Sequence, residues 1–298
     1  MRQVASVAAL LLCFSGIVFA QAVATTEVKM APLRTYTPKD ADVYCAGFIT
    51  DKPPIEGLFV VAGQEGGIIQ MFSDRDTIYL SRGAGYIVNP GGEYILMRKL
   101  VDPSRVEIFE GQNKMLKDLG QVFAEVGRLK VNLIHQYVVT ATITGVCSEI
   151  QAGDIAVPLN KRPKPEAPVG TFDRFAPATG KNEGVIAAAK EFSATLGAGD
   201  VAYLNIGAPQ GVEVGQSYRI YRTYDTAARD PNRKYLENTP QMLAGMRQSY
   251  KLTKEQRAIM PRDIVGEMVI LSVNGKSASG LITMASGEVF PGDQVEMK

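Results

Sequence analysis

One histidine, His135, stands in a chain of 298 residues, so the commonest acid–base group of enzymes is almost missing. Charge of one sign is missing too. The chain has 32 basic and 31 acidic residues, and removal of a leader carrying Arg2 leaves 31 against 31. No global excess draws such a chain to nucleic acid or to an anionic membrane. There is no G-x-S-x-G elbow and no S-x-x-K, and Cys45 has only the distant His135 as a base. Metal-ligand spacings are lacking, and no second His exists to share a metal with His135. "SRGAGYIV" has G-x-G without the third glycine or a following helix, so its glycines read as hairpin corners rather than a phosphate cradle. Carboxylates such as Asp74 and Asp76 fall in a turn, and nothing sets two of them at a catalytic separation. The expectation is a protein that is not an enzyme and takes no cofactor or metal. An unrecognised hydrolase is the least favoured reading.

What is present allows ordinary cores. The hydrophobic fraction is 46%, with 12 Tyr and 11 Phe. The length fits two globular domains. Residues 1–20 have the form of a cleaved signal peptide: Arg2, an apolar run from Val4 to Phe19, and small residues at "VFA" or "AQA". Leu12 before Cys13, and an apolar run that continues past it, argue against a lipoprotein. The expected location is therefore periplasmic or secreted, with no membrane span once the leader is cut. In an oxidising compartment Cys45 and Cys147 could form a disulfide, or stay as two buried thiols.

The chain repeats itself. "DTIYLSRGAGYIVNPGGEYILMR", residues 76–98, returns as "DVAYLNIGAPQGVEVGQSYRIYR", residues 200–222, with nine identities and no gap. "GLFVVA" at Gly57 matches "GVIAAA" at Gly184, "LGQVFAEV" at Leu119 answers "VGEMVILS" at Val265, and "TATITGVCSEIQAGDIAV" answers "SGLITMASGEVFPGDQVEM". Order is kept throughout, so the pattern is a duplicated domain. Each copy is a series of short Val-, Ile-, Tyr- and Thr-rich segments cornered by glycine, with Asn274-Gly275 as a hairpin signal. The fold class is mostly β: two duplicated small antiparallel β-barrel or sandwich domains with short helical inserts.

The expected organisation is a flexible arm at 21–41, a first repeat at 42–159, a Pro-rich linker at 160–183, and a second repeat at 184–298. "DVYCAGFIT" reads as an extra strand of the first repeat, and the linker as a semi-extended spacer. Alternation places His135 on the apolar face of a strand with Val131, Leu133, Tyr137, Val139 and Ile143, a buried or edge histidine held by one hydrogen bond. "NKMLKDL" is the helical insert of the first copy. The second copy's insert, 223–262, has helix starts at Thr239-Pro240 and Thr253, with Met242, Leu243, Met246 and Tyr250 on one stripe. From Arg222 to Arg262 there are nine basic residues against four acidic ones. Arg229, Arg233, Lys234, Tyr235, Met246, Arg247 and Tyr250 are the candidate partner contacts there, since Arg and Tyr anchor interfaces. The competing reading is a solvated helical hairpin packed on the barrel.

"YLNIGAPQGVEVGQSYRIYR", "VGEMVILSV" and "SASGLITMASGEVFPGDQVEM" resemble the C-terminal domain of bacterial flagellar assembly protein T, and related barrel modules that accompany lysin-motif domains in envelope proteins. The resemblance covers residues 184–298 and, more loosely, 57–159. It implies an exported envelope module that docks onto other components. The expected function is a non-enzymatic structural or docking protein that binds an envelope protein partner, two barrels giving bivalent engagement. Binding of peptidoglycan or another cell-wall polysaccharide is the alternative.

Overall fold

Segments that alternate β-branched or aromatic residues with polar ones bury one face when a sheet curls onto itself, and two such sheets form here. The computed structural model describes residues 35–54, 57–66, 71–81, 88–104, 106–166, 172–223 and 253–298. In chain order its elements are α1 (Asp40–Tyr44), β1 (Phe48–Thr50), β2 (Val60–Gly63), β3 (Met71–Phe72), β4 (Thr77–Ser81), β5 (Glu93–Leu100), α2 (Gln112–Leu119), β6 (Gln121–Ile134), β7 (Val138–Val146), β8 (Ile150–Gln151), β9 (Ile155–Pro158), β10 (Gly184–Ala189), β11 (Val201–Leu204), β12 (Ser217–Arg222), α3 (Lys254–Ala258), β13 (Asp263–Val273), β14 (Ala278–Ala285) and β15 (Gln294–Met297).

The two halves share one topology. The second repeat is a closed antiparallel barrel in the order β10-β11-β14-β13-β12-β15. The first runs β2-β4-β7-β6-β5-β9, the same order, and the bridge Phe59↔Ile155 joins its last strand back to the stretch before β2. Registers repeat pair for pair. Tyr79↔Thr140 corresponds to Tyr203↔Ser279, and Lys130↔Thr142 to Val269↔Leu281. Even the bulges recur, between Val60 and Ala62 in one barrel and Ile186 and Ala188 in the other. Each barrel is filled by its own side chains. Leu58, Val60, Ile78, Leu80, Leu96 and Leu129 lie in the first core, and Ile186, Leu204, Tyr218, Ile220, Met268 and Ile282 in the second.

One ion pair is also duplicated. Arg98 grips Asp154 with two bonds of 2.7 Å and donates to the Glu149 carbonyl at 2.7 Å. Arg222 grips Asp293 at 2.7 and 2.6 Å and donates to the Glu288 carbonyl at 2.6 Å. Each aspartate closes its turn by accepting a backbone N–H, from Gln151 or Phe290. Gly153 and Gly292, at φ +95° and +99°, make the sharp corner that brings each carboxylate inward, where a side chain would be strained. A forked Arg–carboxylate pair suits such a corner because two parallel bonds fix direction as well as distance.

Four sequence expectations change. The correct partner of "VGEMVILS" is Val126–Leu133, because Gly127 pairs across β5 as Gly266 pairs across β12. Likewise Val60, not Phe59, is the equivalent of Ile186, since each faces a leucine of the next strand. A slip of one residue would turn that strand's buried face outward. Residues 40–44 are helical rather than strand, with Asp42 taking the N–H of Lys39 at 2.7 Å, so only Phe48–Thr50 of "DVYCAGFIT" is a strand. Residues 35–41 are docked rather than loose: the Tyr36 N–H donates to the Thr283 carbonyl at 2.6 Å.

The linker has no regular structure among its described residues, yet it is tied down at several points. Arg162 bonds Glu125 at 2.5 Å and the Val43 carbonyl at 3.0 Å. Arg174 forks onto Asp263, Ala176 is buried, and Thr179 bonds Glu296 and the Met297 carbonyl. Proline sets its extended shape, and arginine and threonine side chains hold it against both repeats.

Candidate functional site

The junction of the repeats carries the least ordinary chemistry in the molecule. Strands β11, β13 and β14 are apolar on both faces. Their inner faces fill the barrel, while Val201, Tyr203, Val269, Leu271 and Leu281 point outward. Against that outer face the first repeat lays α1, β1 and α2, through Val43, Ala46, Ile49, Leu119 and Val122. The fit is fixed by hydroxyls. Tyr203 donates to the Ala46 carbonyl at 3.0 Å, Ser279 to Gly47 at 2.8 Å and Ser277 to Ile49 at 2.6 Å. The α2 side chain Gln112 adds a bond to the Ala187 carbonyl at 2.9 Å. Apolar burial supplies the adhesion, and the hydroxyl bonds set the register.

Cys45 and Cys147 are bonded, with Cα atoms 5.4 Å apart. The bridge staples the end of α1 to the turn after β7, so one of the elements lying on the second barrel is covalently held to the first. Beside it Glu125 is buried, accepting from Arg162 and from the Gly47 N–H at 3.1 Å. Burial pushes its carboxyl above the ordinary range, outweighing the pull of Arg162. Burial, reinforced by the Glu125 charge, also raises the Tyr203 hydroxyl far above its ordinary value, so that hydroxyl acts as a donor and not as a base. Glu296, the buried carboxylate of the second barrel, goes the other way. Burial pushes it up, but hydrogen bonds from Arg262 and the Thr179 N–H carry it below the ordinary value.

A concavity recurs at the same place in the fold of each repeat. In the second, Ala189, Lys190, Glu191, Leu196, Asp200 and Val201 help line about 410 Å³. In the first, Gly63, Gln64, Glu65, Phe72, Asp76 and Thr77 help line about 500 Å³. Asp76 and Asp200 each spend an oxygen on their own loop, taking the N–H of Ser73 or Gly197 at 2.7 Å. These hollows are a shape of the fold, and their aspartates close turns.

The remaining sequence candidates fall as follows. His135 is exposed, beyond the end of β6, with Nε2 2.9 Å from the Thr140 hydroxyl. The face it was assigned to is split. Val131, Val139 and Ile143 are buried, whereas Leu133 and Tyr137 are 61% and 77% exposed: a bulge between Val131 and Leu133 turns Leu133 outward opposite Thr140, and Tyr137 lies in the turn between β6 and β7. Arg229, Arg233, Lys234, Tyr235, Met246, Arg247 and Tyr250 lie outside the described residues, as do Thr239 and Pro240. At the far end of that insert Thr253 caps α3, taking the Gln256 N–H at 3.2 Å. Two of the nine cations counted there, Arg222 and Arg262, are paired within the chain with Asp293 and Glu296. Sequence reasoning missed Tyr203, Ser277 and Ser279. Their signal was an outward-facing apolar row on strands already assigned a filled inner face.

Among the described residues no three His, Cys, Asp or Glu side chains gather as a metal site, and no helix is long and apolar enough to cross a membrane. No protein-family model matches the chain, and no curated protein compared with it matches either.

Proposed function

We propose that this chain is an exported, non-enzymatic docking protein of the bacterial cell envelope, binding a protein partner through its β-barrel repeats. The observation that carries the reading is the mode of association inside the molecule. The segment Ala46–Ile49, turned at Gly47 (φ +67°) and entering a strand at Phe48, lies on the outside of a closed barrel and is held by hydroxyl-to-carbonyl bonds. This segment is paired to β6 of the first repeat, so the outer wall of the second barrel holds a neighbouring module by side-chain hydroxyls and apolar contact, the kind of contact a docking surface makes. The Cys45–Cys147 bond fits residence in an oxidising compartment, periplasmic or outside the cell. The resemblance to the flagellar assembly protein T module points to the same setting.

The test is capture. Mature protein immobilised in envelope extract retains a defined partner, and replacing Arg229, Arg233 and Lys234 by Glu weakens retention. Failure to retain any envelope protein ends the reading. Polysaccharide binding is the second reading, favoured by the hydroxyl and amide groups on the outer face of the first barrel: Thr77, Thr142 and Asn132. Co-sedimentation with purified peptidoglycan sacculi at moderate salt distinguishes it.

A further inference from the structure

The strand docked on the second barrel has a counterpart site on the first. Tyr203 and Ser279 are cross-strand partners on β11 and β14, and their hydroxyls hold the carbonyls of Ala46 and Gly47. The docked chain must be small at that crossing. A Cβ on Gly47 would stand 2.5 Å from the Tyr203 hydroxyl. At the equivalent positions of the first barrel stand Tyr79 and Thr140, again cross-strand partners and again both hydroxyl-bearing. Val138 replaces Ser277, so two of the three donors are retained. Tyr79 is half-buried, and no described residue accepts from its hydroxyl. The Thr140 hydroxyl is touched by His135.

Most of the surroundings have changed from apolar to polar, while Leu133, 61% exposed opposite Thr140, and Val138 stand where the second barrel has Ser272 and Ser277. Val201, Leu281, Val269 and Leu271 on the second barrel become Thr77, Thr142, Lys130 and Asn132 on the first. Lys130 and Asn132 are exposed, and no described element lies over them. An apolar strand would find little apolar surface there beyond Leu133, while a polar one would keep the hydrogen bonds and meet a cation.

We infer that this face of the first repeat, centred on Tyr79 and Thr140, receives a polar peptide segment of a partner protein. The segment crosses the two hydroxyls as Ala46–Ile49 crosses Tyr203 and Ser279. It presents a small residue at Tyr79, a backbone carbonyl to each hydroxyl, and a carboxylate toward Lys130. The inference rests on the docking reading above and names the surface and the chemistry of the occupant.

The probe is a synthetic peptide with the sequence of Lys39–Lys52 carrying Val43→Glu, Cys45→Ser and Ile49→Glu. It keeps the small Ala46-Gly47 pair and exchanges apolar contacts for acids. Titrated into the disulfide-bonded mature chain, it is expected to shift the backbone amide resonances of Thr77–Ser81 and Val138–Thr142. The double variant Tyr79→Phe with Thr140→Val, which removes two hydroxyls at constant shape, is expected to weaken binding about tenfold. Lys130→Glu, a surface change that leaves the core untouched, is expected to weaken it as well. The inference is overturned if no amide moves at about 1 mM peptide, if the moving amides lie on β11 and β14, or if the double variant binds as well as wild type. It is also overturned if an N-acetylglucosamine oligomer moves these amides and the peptide does not. Peptide binding without capture of any envelope protein would instead remove the docking reading and leave this surface standing.

Discussion

The outer walls of the two barrels are built on the same pairs of positions and have opposite characters. On the second barrel Tyr203 is buried between its own strands and the α1–β1 segment of the first repeat, ringed by Val201, Val269, Leu271 and Leu281. On the first barrel Tyr79 is half-buried and ringed by Thr77, Lys130, Asn132 and Thr142. Inner faces, registers, bulges and the Arg–Asp corner are alike in both. Divergence after the duplication is concentrated where the repeats differ in neighbours, not where they fold. The backbone register specifies the barrel, and the outward side chains decide whether a barrel wall holds a partner within the chain or meets solvent.

The disulfide gives the largest test of that comparison, because it belongs to one repeat alone. Cys147 corresponds to Ser286 of the second copy. Replacing both cysteines by serine frees a loop of 102 residues' separation and is expected to cost about 4–5 kcal/mol in denaturant unfolding. Hydrogen exchange should quicken first around α1 and the β7–β8 turn. Equal quickening across β10–β15 would break the comparison.

Next in size is the tyrosine pair. Tyr203→Ala should cost about 3–5 kcal/mol by leaving a cavity at the junction, whereas Tyr79→Ala should stay within about 1 kcal/mol. Similar losses would mean that the first wall is covered as well. The two corner pairs should behave as twins: Arg98→Met and Arg222→Met are each expected to cost about 3 kcal/mol, since each strands a buried aspartate. Stabilities that differ widely between those two variants would show that the repeats do not share their energetics.

The smallest effects separate the buried glutamates by pH. Glu296 has its folded value lowered, so its contribution is present above the unfolded carboxylate value and is lost as pH falls through the folded one. Glu125 has its folded value raised, so its contribution is present below the unfolded value and is lost as pH rises through the folded one. Glu296→Gln should therefore flatten the acid limb of a stability–pH curve. Glu125→Gln should flatten the opposite slope, above the ordinary carboxylate range. Identical curves for the two variants would contradict the assigned directions.

Much of the barrel plan was legible because it rests on local signals. The Gly-Asp corners at Gly153 and Gly292, the Asn274-Gly275 hairpin and the identities from Asp76 to Arg98 all act within a few residues. Alignment failed where bulges and unequal inserts shift the frame, as at Val60 and Gly127, since period-two patterns look alike after a slip. His135 falls off the expected face because the bulge between Val131 and Leu133 breaks the alternation before it. The junction was hidden for another reason. Tyr203, Ser277 and Ser279 meet carbonyls more than 150 positions earlier in the chain, and no neighbouring residue announces such a bond. Outward Val, Leu and Tyr on β11, β13 and β14 did announce that something must cover them.

Stitching of the stretch between the repeats has a mechanical consequence. Pulled at its ends, the chain would not simply pay out slack from Lys161 to Asn182. Tension would first have to tear Arg162 from Glu125, Arg174 from Asp263 and Thr179 from Met297. Each described stretch of that connection can lengthen only once the bond holding it has broken.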